Sequence, residues 1–156
     1  MLLEVGGGAS LTRPADMHFV RRTPQMSRYR RAFGGLLLAQ TAHSVEEYTG
    51  RLWETFPPAR IVSGLFSDDP VRGFVVANLV LVGFGLWCWA VPMRREWRSA
   101  VLLAWVWVAL EVGNGLGHPI WSVWQGGYTA GVATAPLLLV LASNLARELM
   151  RMESNA

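Results

Sequence analysis

Four apolar stretches, each near the ~20 residues that a helix needs to cross ~30 Å of hydrocarbon, decide what this chain can become. They run over about 32–50, 73–92, 99–118 and 128–146. A signal peptide accounts for one such stretch, and a buried core helix for one or two, but neither accounts for four in succession. In hydrocarbon every backbone amide needs an internal partner, so each stretch must be helical. The pattern therefore predicts an all-α membrane protein, a four-transmembrane-helix bundle. A 52% hydrophobic composition with eight tryptophans agrees with that class.

All basic residues are arginines, and they lie at the edges of the apolar blocks. With a net charge of only +3, this points to membrane orientation and away from nucleic acid. Eleven of the fourteen precede the first stretch, lie in the Arg94–Arg98 turn, or follow the last stretch as Arg147 and Arg151. The positive-inside rule then predicts that both termini are cytoplasmic, in a multi-pass protein of the inner (cytoplasmic) membrane. Three parts are expected: residues 1–31 as a disordered basic arm that includes His18, 32–146 as the transmembrane domain, and 147–156 as a short cytoplasmic tail. The 51–72 connection is long for a bundle loop and reads as a short interfacial or re-entrant piece. Residues 119–127 read as the other outer loop, anchored by Trp121 and Trp124. The lone Cys88 lies in an apolar run and reads as packing.

Inside the first stretch sits His43-Ser44-Val45-Glu46-Glu47. A charged residue at a helix centre costs roughly 2.5–3.5 kcal/mol on insertion scales, so two adjacent carboxylates call for pairing, protonation or a metal ion. The third stretch carries Glu111, Asn114 and His118, spaced three and four along one helix face. Asn78 lies in the second, and Tyr128 and Thr134 in the fourth. At 1.5 Å per residue, His43–Glu47, Asn78, Glu111, Asn114 and Thr134 all fall at roughly 18–24 Å from the cytoplasmic ends, and His118 at about 30 Å. Separate segments thus place polar groups near one level, which predicts a shared buried site. Gly113 with Gly117, and Gly127 with Gly131, read as small-residue pairs that let helices approach, either as ordinary packing or to make room for a substrate.

These motifs together resemble one family. His43-Ser-Val-Glu46-Glu47, then Asn114-Gly-Leu-Gly-His118, then Tyr128-Thr129-Ala130-Gly131-Val-Ala-Thr134-Ala are similar to the HXXEE family of bacterial integral membrane proteins over about residues 35–142. Members typically carry proline where this chain has Ala130. The resemblance implies the helical membrane fold and the importance of these positions, and says little about a reaction.

The residues allow three chemistries. Two carboxylates side by side in low dielectric cannot both ionise easily, and a neutral carboxylic acid can give a proton that a neighbouring His or Glu takes back. Isomerisation or cyclisation of an apolar, isoprenoid- or lipid-like substrate suits such a site. Its acid–base groups would be His43, Glu46, Glu47 and Glu111, with Asn78, Asn114, His118, Tyr128 and Thr134 as binding groups. Glu46 is favoured as the partner of His43 at i+3. Alternatively, His43, Glu46, Glu47, Glu111 and His118 are enough ligands for zinc or iron in a bundle core. The third reading is a proton path or a partner-binding subunit without catalysis.

Overall fold

The computed structural model describes residues 24–154, and every regular element among them is a helix. In order these are α1 (Pro24–Thr49), α2 (Leu52–Thr55), α3 (Pro57–Gly64), α4 (Pro70–Ala90), α5 (Ala100–Gln125) and α6 (Ala135–Glu153). Prolines open several of them, where the missing N–H costs nothing. Pro57 begins α3 and Pro70 begins α4, and the Asp69 side chain caps α4 by accepting from the Arg72 amide at 3.0 Å. By length and composition, α4 and α5 can cross a membrane. In α1 and α6 the apolar runs are shorter, because Arg28, Arg30 and Arg31 open the one and Arg147, Glu148, Arg151 and Glu153 close the other.

Several boundaries differ from the sequence expectation. Helix α1 reaches back to Pro24, so the last part of the basic arm is helical. Arginine is a good helix former, and the turn continues the apolar segment without a break. The rest of the arm, His18 included, lies outside the described residues. Helix α5 runs on through Pro119 to Gln125, so most of the expected outer loop is helix, and Gly126 at φ 71° ends it. Residues 128–134, expected to open the fourth helix, form an irregular loop, and α6 begins only at Ala135. The glycine pairs also act differently. A Cβ on Gly113, Gly117 or Gly127 would meet nothing, whereas one on Gly115 would strike Leu139 of α6. Gly115 is therefore the close-approach residue of α5.

The 51–72 connection folds into α2 and α3, which lie over α4. Leu52, Trp53, Phe74 and Ala130 form a small apolar cluster there, and Gly73 lets the backbone of α4 meet that of α3 at Ser63. At the opposite end of the bundle lies the main core. Phe33, Leu36 and Leu37 of α1 pack with Trp107 and Val108 of α5 and with Leu138, Ala142, Leu145 and Leu149 of α6. The last four are spaced four, three and four, the stripe that one helix face presents. Trp107 is fully buried and meets Phe33 edge-on at 5.7 Å. Cys88 is buried in the same core, as packing requires. Thus one half of the bundle is apolar inside, and the polar residues collect in the other half.

Candidate functional site

The polar layer begins as a stripe on α1. Gln40, His43, Ser44 and Glu47 are spaced three, one and three, and all four are buried. From His43 the i+4 residue lies about 40° around the helix and the i+3 residue about 60° the other way, at 3.6 residues per turn. Glu47 therefore joins the stripe and Glu46 leaves it.

Two histidines converge on Glu47. His43 Nε2 lies 3.3 Å and His118 Nε2 3.1 Å from the same oxygen, Glu47 Oε1. The two imidazoles meet edge-on with centroids 4.6 Å apart. His43 and His118 are 0% and 3% exposed, and Glu47 8%. The far nitrogens are fixed by other groups. His118 Nδ1 lies 2.8 Å from the Ala130 carbonyl, which can only accept. His43 Nδ1 lies 2.6 Å from Thr134 Oγ1.

Glu46 points to the 128–134 loop. Its Oε1 accepts from the Tyr128 hydroxyl at 2.7 Å and from the amides of Gly131 and Ala133 at 3.0 Å each. Its Oε2 accepts from the Thr134 amide at 2.9 Å and the Thr134 hydroxyl at 2.6 Å. This explains why the loop is not helical. Irregular backbone packed inside a protein needs partners for its amides, and here one carboxylate serves three of them. The expected pairing of Glu46 with His43 is thus corrected: Glu47 takes that place, and Glu46 braces the loop. Tyr128 and Thr134 both hydrogen-bond Glu46.

Gly131 closes the arrangement. Its φ is +91°, and a Cβ there would lie 2.5 Å from His118 Nδ1 and 2.9 Å from His43 Cε1. Only a residue without a side chain lets the loop lie this close against both rings.

Glu111 is fully buried but is joined to the centre indirectly. The Gln40 amide, with its nitrogen toward the carboxyl, donates to Glu111 Oε2 at 2.7 Å. Its oxygen lies 3.2 Å from Ser44 Oγ, which donates to Asn78 Oδ1 at 2.6 Å. A polar chain therefore crosses from α5 through α1 to α4. Gln40 and Ser44 are not among the residues that the sequence marks as a site, and Gly131 reads there only as a residue that lets helices approach. The i, i+3, i+4, i+7 pattern of Gln40, His43, Ser44 and Glu47 is the signal that would have revealed the first two.

A cavity of about 460 Å³ opens beside this layer. Glu47, His118, Asn78, Asn114 and Gln40 supply its polar wall. The remaining walls are apolar: Phe56, Val62 and Phe66 from the α2–α3 segment, Phe74, Leu81 and Phe84 from α4, and Leu110 from α5. Phe56 also lies against the His118 ring, at 5.6 Å between centroids. Helix α4 packs on α1 and α3, and α5 packs on α6, while α4 and α5 are not a closely packed pair. The cavity lies between them. Of the predicted site residues, Glu47, Asn78, Asn114 and His118 line it, whereas His43, Glu46, Glu111, Tyr128 and Thr134 do not.

Fold and site together define a class: a helical bundle, with two candidate membrane spans, that buries two histidines and a carboxylate at the polar wall of an apolar cavity. The chain belongs to the HXXEE family, described as "Protein of unknown function with HXXEE motif", which it matches over residues 35–146. No curated protein and no solved structure matches it.

Proposed function

We propose that this chain is an intramembrane enzyme that spans the bilayer four times and performs acid–base chemistry on the polar end of an apolar, isoprenoid- or lipid-like molecule. The observation that carries this reading is the cavity, whose size falls within the roughly 300–1,000 Å³ of small-molecule sites. Its apolar walls suit a hydrocarbon chain, and its reactive groups stand at one wall. Glu47 Oε1 and His118 Nε2, 3.1 Å apart, can hold a proton between them, so one of the pair donates it and the other receives it. Isomerisation or cyclisation fits, because a substrate that both gains and loses a proton needs no second reactant.

Four spans are supported by the outward faces of all four long helices. Leu38 of α1, Leu79 of α4, Leu102 of α5 and Val140 of α6 are each more than 60% exposed. Apolar exposure around a whole bundle suits lipid as the surrounding solvent. The distribution of arginines supports cytoplasmic termini. An impermeant thiol reagent applied to intact cells should therefore label Gln125→Cys and leave Glu153→Cys unlabelled. The opposite pattern would invert the orientation, and labelling of both would remove the four-span topology.

The enzymatic reading is tested by lipid profiling. Apolar extracts of cells expressing the parent chain should differ from vector controls in at least one species. Ala77→Phe, which fills the cavity wall from α4, should abolish that difference. Identical extracts from parent and control cells, with the chain present in the membrane, would refute the enzyme.

A further inference from the structure

We infer that His43 Nε2, His118 Nε2 and Glu47 Oε1 form a three-ligand site for a divalent transition-metal ion, zinc first, with its open position toward the apolar cavity. This deepens the functional reading and relies on it only for the role of the cavity. The ion site itself stands on where the hydrogens must be.

The Ala130 carbonyl has no hydrogen, so His118 Nδ1 carries the proton between them. The Thr134 hydroxyl hydrogen is directed to Glu46 Oε2, and the five hydrogen bonds that the Glu46 carboxylate receives, three at Oε1 and two at Oε2, leave it as acceptor only. Thr134 Oγ1 must then accept from His43 Nδ1. In the neutral imidazole one nitrogen donates and the other carries a lone pair. Both Nε2 atoms therefore present lone pairs to Glu47, which itself offers only lone pairs when ionised. His43 Nε2 is buried and has no hydrogen-bond partner. Three acceptors facing one another across 3.1 and 3.3 Å repel unless something positive lies between them.

A metal ion meets that need in geometry and in charge. With bonds of about 2.0–2.1 Å in tetrahedral array, neighbouring ligand atoms of zinc stand ~3.3 Å apart. The three ligand atoms here all lie within 4.8 Å of one another. Two neutral histidines with one carboxylate is a ligand set of catalytic zinc and of non-haem iron, both of which leave positions open. The outer partners fit as well. Ligating histidines usually donate their second N–H to a carbonyl or carboxylate, as His118 does to Ala130 and His43 does to Glu46 through Thr134. Arg51, Arg72 and Arg151 pair elsewhere, with Glu54, Asp69 and Glu148. Glu47 in contact and Glu46 one hydroxyl away supply the two negative charges that a buried dication needs. The motif then has a division of labour: His43 and Glu47 bind, and Glu46 braces. A bound ion lowers the pKa of a water it holds to about 7, so acid–base work stays at the site while Glu47 becomes a ligand.

The test uses the full chain, purified in detergent, stripped with a chelator and titrated with zinc or cobalt(II). The expected results are one ion per chain and, for cobalt, the intense visible absorption of a four- or five-coordinate site. Glu47→Ala and His118→Ala should lose it. Thr134→Val, which removes the acceptor of His43 Nδ1–H, should weaken cobalt binding about 10–100-fold, whereas Thr134→Ser should keep it. A parent chain that is folded by circular dichroism yet takes up neither ion would overturn the inference and leave protons in the gap. So would binding that survives both His43→Ala and His118→Ala. Because uptake is measured without turnover, failure of the lipid assay leaves the ion site standing. An active chain without metal removes the ion site and keeps the enzyme.

Discussion

Glu47→Gln should reduce turnover by about 10²–10⁴, the usual contribution of an acid–base group, without lowering the thermal midpoint of the protein in detergent. The reason lies in the hydrogens. The new amide places N–H donors where two imidazole lone pairs now face a carboxylate, so the substituted side chain satisfies His43 and His118 while losing its power to accept a proton or ligate a metal. Glu46→Gln should do the reverse. Its amide nitrogen would point at donors on either side: the Tyr128 hydroxyl and the Gly131 and Ala133 amides at Oε1, or the Thr134 amide and hydroxyl at Oε2. Whichever way the amide turns, one part-buried amide, that of Gly131 or that of Thr134, is stranded, at a cost of roughly 1–3 kcal/mol. The expected result is a chain destabilised by about that amount, with activity falling as the loop loosens. Thermal unfolding and turnover, measured on both variants, separate the two carboxylates. Equal behaviour of the two would remove the division of labour.

Much of this site was legible in the sequence because helical spacing is rigid. Depth counting at 1.5 Å per residue brings His43, Glu47, Glu111 and His118 toward one end of the bundle from the sequence alone. The same periodicity held the answer to which glutamate faces His43, since an i+4 neighbour lies closer around the helix than an i+3 neighbour. What could not be read was the 128–134 loop. Its residues have the apolar composition of a span, and the fact that overrides it is non-local: a carboxylate more than eighty residues earlier offers its amides a better partner than a helical turn would. The role of Gly131 was hidden for the same reason. A glycine pair at helical spacing suggests helix packing, but the loop sets Gly131 against two rings contributed by α1 and α5. The length of the 51–72 connection marked it as more than a simple loop, and it folds into α2 and α3. That it would supply Phe56 to cover His118 depends on the fold of α4 beneath it.

Gly131→Ala should disable the centre while the bundle still forms. The substitution adds one methyl group, yet two effects combine against it. At φ +91° an L-residue is strained by about 1–2 kcal/mol, which a helical bundle with an intact core at its other end can tolerate. The methyl would also sit 2.5–2.6 Å from His118 Nδ1 and Cε1 and 2.9 Å from His43 Cε1, closer than carbon and nitrogen atoms approach without displacement. Both rings are buried, and each is tied by its Nδ1 to the same loop, His118 through Ala130 and His43 through Thr134. The loop cannot retreat freely either, because Glu46 holds it on the other side. The rings must therefore swing, and a misplacement near 1 Å of reacting groups costs about 10² in rate. Turnover should fall at least that far, cobalt uptake should fall with it, and circular dichroism in detergent should keep the parent's helix content. Parent-like turnover in Gly131→Ala would show that the two histidines need not be held in this arrangement, and the catalytic role of the His43–Glu47–His118 cluster would fall with it.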